Sequence, residues 1–63
     1  MTKEQKINWL ANASDEKLVK QFETSAMWAS DPFTYAKKTG YAFEEIMEDY
    51  DLVRAELLKR LAK

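Results

Sequence analysis

The chain contains no histidine and no cysteine, and only one glycine and one proline. Each absence removes a class of chemistry. Without His or Cys, neither a Ser-His-Asp nor a Cys-His arrangement can be assembled. Disulfides are impossible, a structural zinc lacks its usual nitrogen and sulfur ligands, and Glu-x-x-His di-iron motifs cannot exist. A single glycine cannot build a glycine-rich phosphate loop. β-Branched residues are sparse and no alternating run occurs, which argues against strands. The net charge is −1, with both signs interspersed. That leaves no basic excess for nucleic acid to attract. The N-terminal Met-Thr-Lys-Glu-Gln-Lys precedes no long apolar run, so neither a signal peptide nor a membrane span is expected. The missing cysteines fit a reducing compartment, and a cytoplasmic location is expected.

What the chain does have is helical patterning. In the last third, Phe43, Ile46, Met47, Tyr50, Val53, Leu57, Leu58 and Leu61 step by three and four, which places them along one helix face. Helix 4 is read over Ala42 to Ala62. Glu44 and Glu45 lie near its start and Lys59, Arg60 and Lys63 near its end, a polarity that complements the helix dipole. Upstream, Thr2 and Gln5 form a capping box ahead of a helix from Lys3 to Asn12. Ser14 caps a second helix from Asp15 to Ala29, in which Leu18, Val19, Phe22, Ala26 and Ala29 share a face. The two alanines would admit a close helix neighbour. Asp31 and Pro32 signal a third, short helix to Lys38, closed by Gly40. The expected fold is therefore all-α: residues 1–63 form a single domain of three main helices and one short one, with the long C-terminal helix central.

Several residues break this pattern. Arg54 falls inside the apolar stripe of helix 4, so it must snorkel to solvent or find an acid, either internally, such as Glu23 or Asp31, or as a partner's carboxylate at a groove. Leu52 lies opposite the stripe, Met27 opposite Leu18, Trp9 opposite Ile7, and Trp28 well off its helix's main face. Four large apolar residues out of register in 63 imply either a second internal packing layer or a shared surface. Trp9, Met27, Trp28, Leu52 and Arg54 are the candidate partner-binding residues. Glu44, Glu45, Glu48, Asp49 and Asp51 form an acidic face that could steer a basic partner or mimic nucleic-acid phosphates; as a plain solvated face it is also ordinary. The run has no glycine or terminal glutamate at calcium-loop spacing, and no metal or other cofactor is expected.

Size narrows the choice further. Sixty-three residues approach the lower limit for independent folding. With disulfides and zinc excluded, oligomerisation is the remaining common supplement, so a protein partner or a homo-oligomer is expected. Paired carboxylates alone, in a domain with little room for a deep pocket, make an enzyme a poor reading. A helix-turn-helix is disfavoured because Lys17, Lys20 and Gln21 of helix 2 sit beside Asp15, Glu16 and Glu23, and helix 3 offers only Lys37 and Lys38. A membrane-surface helix is disfavoured by the acids of helix 4.

The runs Asp15-x-x-Leu18-Val19-x-x-Phe22-Glu23 and Leu52-Val53-Arg54-x-Glu56-Leu57-Leu58-x-Arg60-Leu61 resemble a pattern in short helical proteins of phages and mobile elements of Gram-positive bacteria. The resemblance covers about half the chain and implies an accessory protein without catalytic activity. The expected function is thus a small non-enzymatic interaction module that self-associates. The alternatives are a helical nucleic-acid-binding regulator and an acidic inhibitor that mimics nucleic acid.

Overall fold

A computed structural model describes residues 2–62. Four helices follow one another: α1 (Lys3–Asn12), α2 (Asp15–Ser30), α3 (Pro32–Thr39) and α4 (Phe43–Leu61). No strand occurs among the described residues. Each boundary lies within one residue of its sequence expectation; Lys63, assigned to the positive end of helix 4, lies outside the described residues.

The caps explain the boundaries. The Gln5 amide donates to Thr2 Oγ1 at 3.2 Å while the Thr2 amide donates to Gln5 Oε1 at 2.9 Å, a complete capping box. The Lys17 amide donates to Ser14 Oγ at 3.2 Å and starts α2. Gly40 adopts φ 81°, and its amide donates to Ala36 O at 3.0 Å to close α3. Asp31 departs from expectation, because its side chain makes no capping hydrogen bond. It closes α2 and opens α3 at once, at φ −145° and ψ 68°. The junction is sealed by the backbone instead: the Asp31 amide donates to Trp28 O at 3.2 Å, and the Tyr35 amide to Asp31 O at 3.3 Å.

Packing centres on α2 and α4, the most extensively packed pair of helices. They run antiparallel, since Phe22 stacks on Tyr50 at 5.8 Å while Asp15, at the start of α2, meets Arg60 near the end of α4. Leu18 and Val53 are completely buried in this seam, and Leu10 of α1 joins them at 2 % exposure. Phe22, Leu52 and Leu57 pack against that cluster. Ile46 is buried, and so is Ser25, which faces α4 on the same side of α2 as Leu18. Ser25 takes the close-packing position expected of Ala26 and Ala29, which are only half-buried.

The buried face of α4 is rotated from its expected centre. At about 100° per residue, the inward arc is centred on Ile46 and Val53, and includes Tyr50, Leu57 and Arg60. Leu52 lies at one edge and is half-buried, so it belongs to the core's margin and not to the far side of the helix. At the other edge Phe43, Leu58 and Leu61 remain exposed. Counting apolar residues weighted the stripe toward these three. Burial is decided instead by where α1 and α2 lie, because a helix face is apolar in effect only where a neighbour covers it.

Arg60 ties α1 to this pair. Its Nη2 donates to the backbone carbonyls of Leu10 at 2.9 Å and Ala13 at 2.7 Å. Its Nε donates to Glu56 Oε2 at 2.9 Å, and its Nη1 to Asp15 Oδ1 at 2.7 Å. One planar guanidinium thus satisfies carbonyls at the end of α1, where helical partners run out, and joins three helices. The hydrogen bonds it donates to Glu56 and then to Asp15 hold its pKa above the ordinary value. The charge is present throughout the neutral range, and its contribution disappears only as pH rises through that elevated value. A second tie is the ion pair between Lys6 of α1 and Asp49 of α4. None of the described helices is long and apolar enough to cross a membrane.

Two stability predictions follow from this packing. Leu18→Ala is expected to cost about 2–5 kcal/mol in urea unfolding, by opening a cavity in the seam; a loss below about 0.5 kcal/mol, the range of surface changes, would contradict its central place. Arg60→Gln is expected to lower the thermal midpoint clearly more than Arg54→Gln, and equal effects would show that the carbonyl contacts do not hold α1.

Candidate interaction surface

The α2–α4 pair has two sides, and α1 covers only one. On the covered side lies a shallow cleft lined by Lys6, Trp28, Tyr41, Glu45, Asp49 and Leu52, among others. Trp28 is half-buried there, stacked on Tyr35 at 5.6 Å and packed beside Tyr41 at 6.1 Å. Of the five residues proposed as partner contacts, Trp28 and Leu52 are therefore largely used in internal packing. Their positions off the main helix faces are explained by α1, α3 and the Tyr41 loop, which touch α2 and α4 from the side.

Trp9 and Met27 do point outward. Trp9 lies in a groove with Gln5, Asn8, Asn12, Ala13 and Lys17 on the outer face of α1. Met27 is on the back of α2, away from α4. Each is a single apolar residue on its own surface, which is ordinary for a folded domain. The structure does not bring Trp9, Met27, Trp28 and Leu52 together into one patch.

The other side of the α2–α4 pair is different. Antiparallel packing turns Val19 of α2 to the same side as Met47, Leu58 and Leu61 of α4. Val19 is 45 % exposed, Leu58 47 % and Leu61 72 %. At the far end Phe33 of α3, 74 % exposed, packs on Phe43 with ring centroids 4.9 Å apart. Phe22, Tyr50 and Leu57 are half-buried and form the floor between the helices. No helix lies over this side among the described residues. Val19, Phe33, Phe43, Leu58 and Leu61 are thus the exposed residues on this side that sequence reasoning placed in the core or passed over; Ile7 and Tyr41 are exposed elsewhere. The available signal was the width of the stripe in helix 4, too wide for a single neighbour.

Arg54 lies in the middle of this open arc of α4. It is exposed, and it forms no ion pair among the described residues. The expected pairing with Glu23 or Asp31 is therefore not made. An exposed guanidinium is solvated and needs no internal acid.

The acidic run is also divided by the helix. Asp49 is half-buried and paired with Lys6, on the covered side. Glu45 points the same way, while Glu44, Glu48 and Asp51 are exposed across the back of α4 and toward the open side. The five acids spread over roughly 160° of the circumference at about 100° per residue. They are not one surface of phosphate-like spacing. No group of three or more acidic side chains that could hold a metal ion occurs among the described residues.

No protein family, curated protein or solved structure matches the chain.

Tryptophan fluorescence distinguishes the two indoles. In Trp28→Phe the remaining Trp9 should emit near the solvent-exposed wavelength and be quenched readily by acrylamide. In Trp9→Phe the remaining Trp28 should be blue-shifted and less quenched. Equal quenching in the two variants would contradict the stacking around Trp28.

Proposed function

We propose that the chain is a small non-enzymatic interaction module that binds another protein chain through the open side of the α2–α4 pair. The observation that carries this reading is the grouping of Val19, Phe33, Phe43, Leu58 and Leu61, all exposed and all on the side that α1 does not cover. Grouped apolar side chains around a lone arginine match the make-up of protein interfaces, in which Phe, Met and Arg are enriched. Contiguous apolar surface costs solubility unless it is covered during function. Arg54 is the residue best suited within it to grip a partner's carboxylate.

The chemistry available elsewhere supports the same reading. With no His or Cys, the chain has no activated nucleophile of the usual kinds. Glu44 and Asp51 lie toward the edge of the proposed surface and favour a partner that presents a cation there. An accessory protein of a phage or mobile element, such as the sequence resemblance implies, would act in this way, in the cytoplasm of its host.

The test is affinity capture from the native host with mass identification, using wild-type protein, Leu61→Glu and Met27→Glu. Leu61→Glu should lose the captured partner while Met27→Glu retains it. Loss with Met27→Glu alone, or equal capture by all three, would show that the open side is not the binding surface.

A further inference from the structure

We infer that the partner seated on the open side is a second copy of this chain, related by a two-fold axis that crosses α4 near residue 52, with the two α4 helices antiparallel. This rests on the reading of that side as an interface and goes further by naming its occupant and register.

Three observations point to a second copy. The first is charge. The first half of α4 carries Glu44, Glu45, Glu48, Asp49 and Asp51, and the second half carries Arg54, Lys59 and Arg60 with one acid, Glu56; Asp49, Glu56 and Arg60 are paired on the covered side, which leaves Glu44, Asp51 and Arg54 as the charges bordering the open side. A helix divided in this way repels a parallel copy and attracts an antiparallel one. The second is register. An axis near residue 52 sets Phe43 opposite the partner's Leu61, and Met47 opposite the partner's Leu58. It also sets Arg54 opposite the partner's Asp51, and all of these contacts occur twice, as an isologous interface requires. The single cation in the open arc therefore meets an acid at the edge of the same arc. Both residues are exposed, and neither is in an ion pair among the described residues.

The third observation is area. The chain exposes 4822 Å², against about 4,200 Å² expected for a compact monomer of its mass. Its radius of gyration is 11.7 Å, against about 10.6 Å expected for a compact chain of its length. That excess accompanies an elongated outline of 37 × 22 × 16 Å, which leaves a long face of the α2–α4 pair for a partner to cover; a stable interface takes about 600–1,000 Å² from each partner. Placing α2 and α4 against their symmetry mates makes a four-helix layer. Val19, Phe22, Tyr50 and Leu57 then face covered surface, Phe33 of α3 lies at its rim beside Phe43, and α1 remains on the outside.

The experiment is sedimentation equilibrium across a dilution series for wild type, Leu58→Glu, Arg54→Glu, Asp51→Arg and the double variant Arg54→Glu/Asp51→Arg. Circular dichroism confirms that each keeps its helices, which surface changes should permit. Wild type should dimerise. Leu58→Glu should abolish dimerisation, and each single charge reversal should weaken it by about 10-fold or more, because it sets like charges together twice. The double reversal should return the dissociation constant to within about 3-fold of wild type. If Leu58→Glu abolishes dimerisation but the double variant does not recover it, the open side is the interface and the antiparallel register is wrong. If wild type dimerises and Leu58→Glu has no effect, the open side is not the interface and the reading beneath this inference fails as well. A wild type that stays monomeric at millimolar concentration overturns the second copy as occupant, while the host-capture experiment separately decides whether the side binds another protein.

Discussion

The seam between α2 and α4, with Leu18 and Val53 at its centre, is the constraint on which the rest of the structure depends. These side chains exclude water completely, and Leu10, Phe22, Leu52 and Leu57 gather around them. Burial is the main favourable term in folding, and in this chain it is concentrated within a few turns. Every other element is placed by reference to that seam. Its axis decides which residues of α4 are inward. Its two sides decide what is left uncovered.

The secondary ties are polar. α1 contributes one buried side chain, Leu10, which is little to hold ten residues in place. Arg60 compensates by donating to the Leu10 and Ala13 carbonyls while Glu56 and Asp15 hold its charge. Hydrogen bonds from an ionised donor are stronger than neutral ones. The Lys6–Asp49 pair adds a further attachment on the same side. As a result α1 is fixed to one side of the α2–α4 pair, and the opposite side keeps its apolar residues in solvent. The open surface is thus a consequence of architecture: three helices surround a seam that four would enclose.

Much of the fold was legible in the chain. Thr2, Ser14, Pro32 and Gly40 mark helix ends through local chemistry that does not depend on tertiary context, and the observed boundaries agree with them. The exception is Asp31, where two helices share one capping residue and its backbone is already committed. The candidate site was less legible. Leu52 and Arg54 sit differently from expectation, Leu52 at the margin of the core and Arg54 exposed without an internal acid, because a helical wheel gives the relative angles of residues but not the direction of the neighbour. A rotation of the inward arc by a few tens of degrees moves Leu52 to the core's edge and frees Arg54, Leu58 and Leu61. Arg60 escaped notice for a related reason. As a basic residue in the last turn it already had a sufficient local explanation in the helix dipole, and its contacts with residues 45 to 50 positions away are set only by the tertiary fold.

The proposed meeting place of this protein with another chain is the uncovered side of the α2–α4 pair. Residue-resolved amide chemical shifts, followed as the concentration is raised, test it most directly. Changes confined to Val19, Phe33, Phe43, Met47, Arg54, Leu58 and Leu61 and their neighbours are expected, with α1 unchanged. Changes centred on Trp9 and the outer face of α1, or spectra that stay constant while a captured partner perturbs only α1, would contradict it.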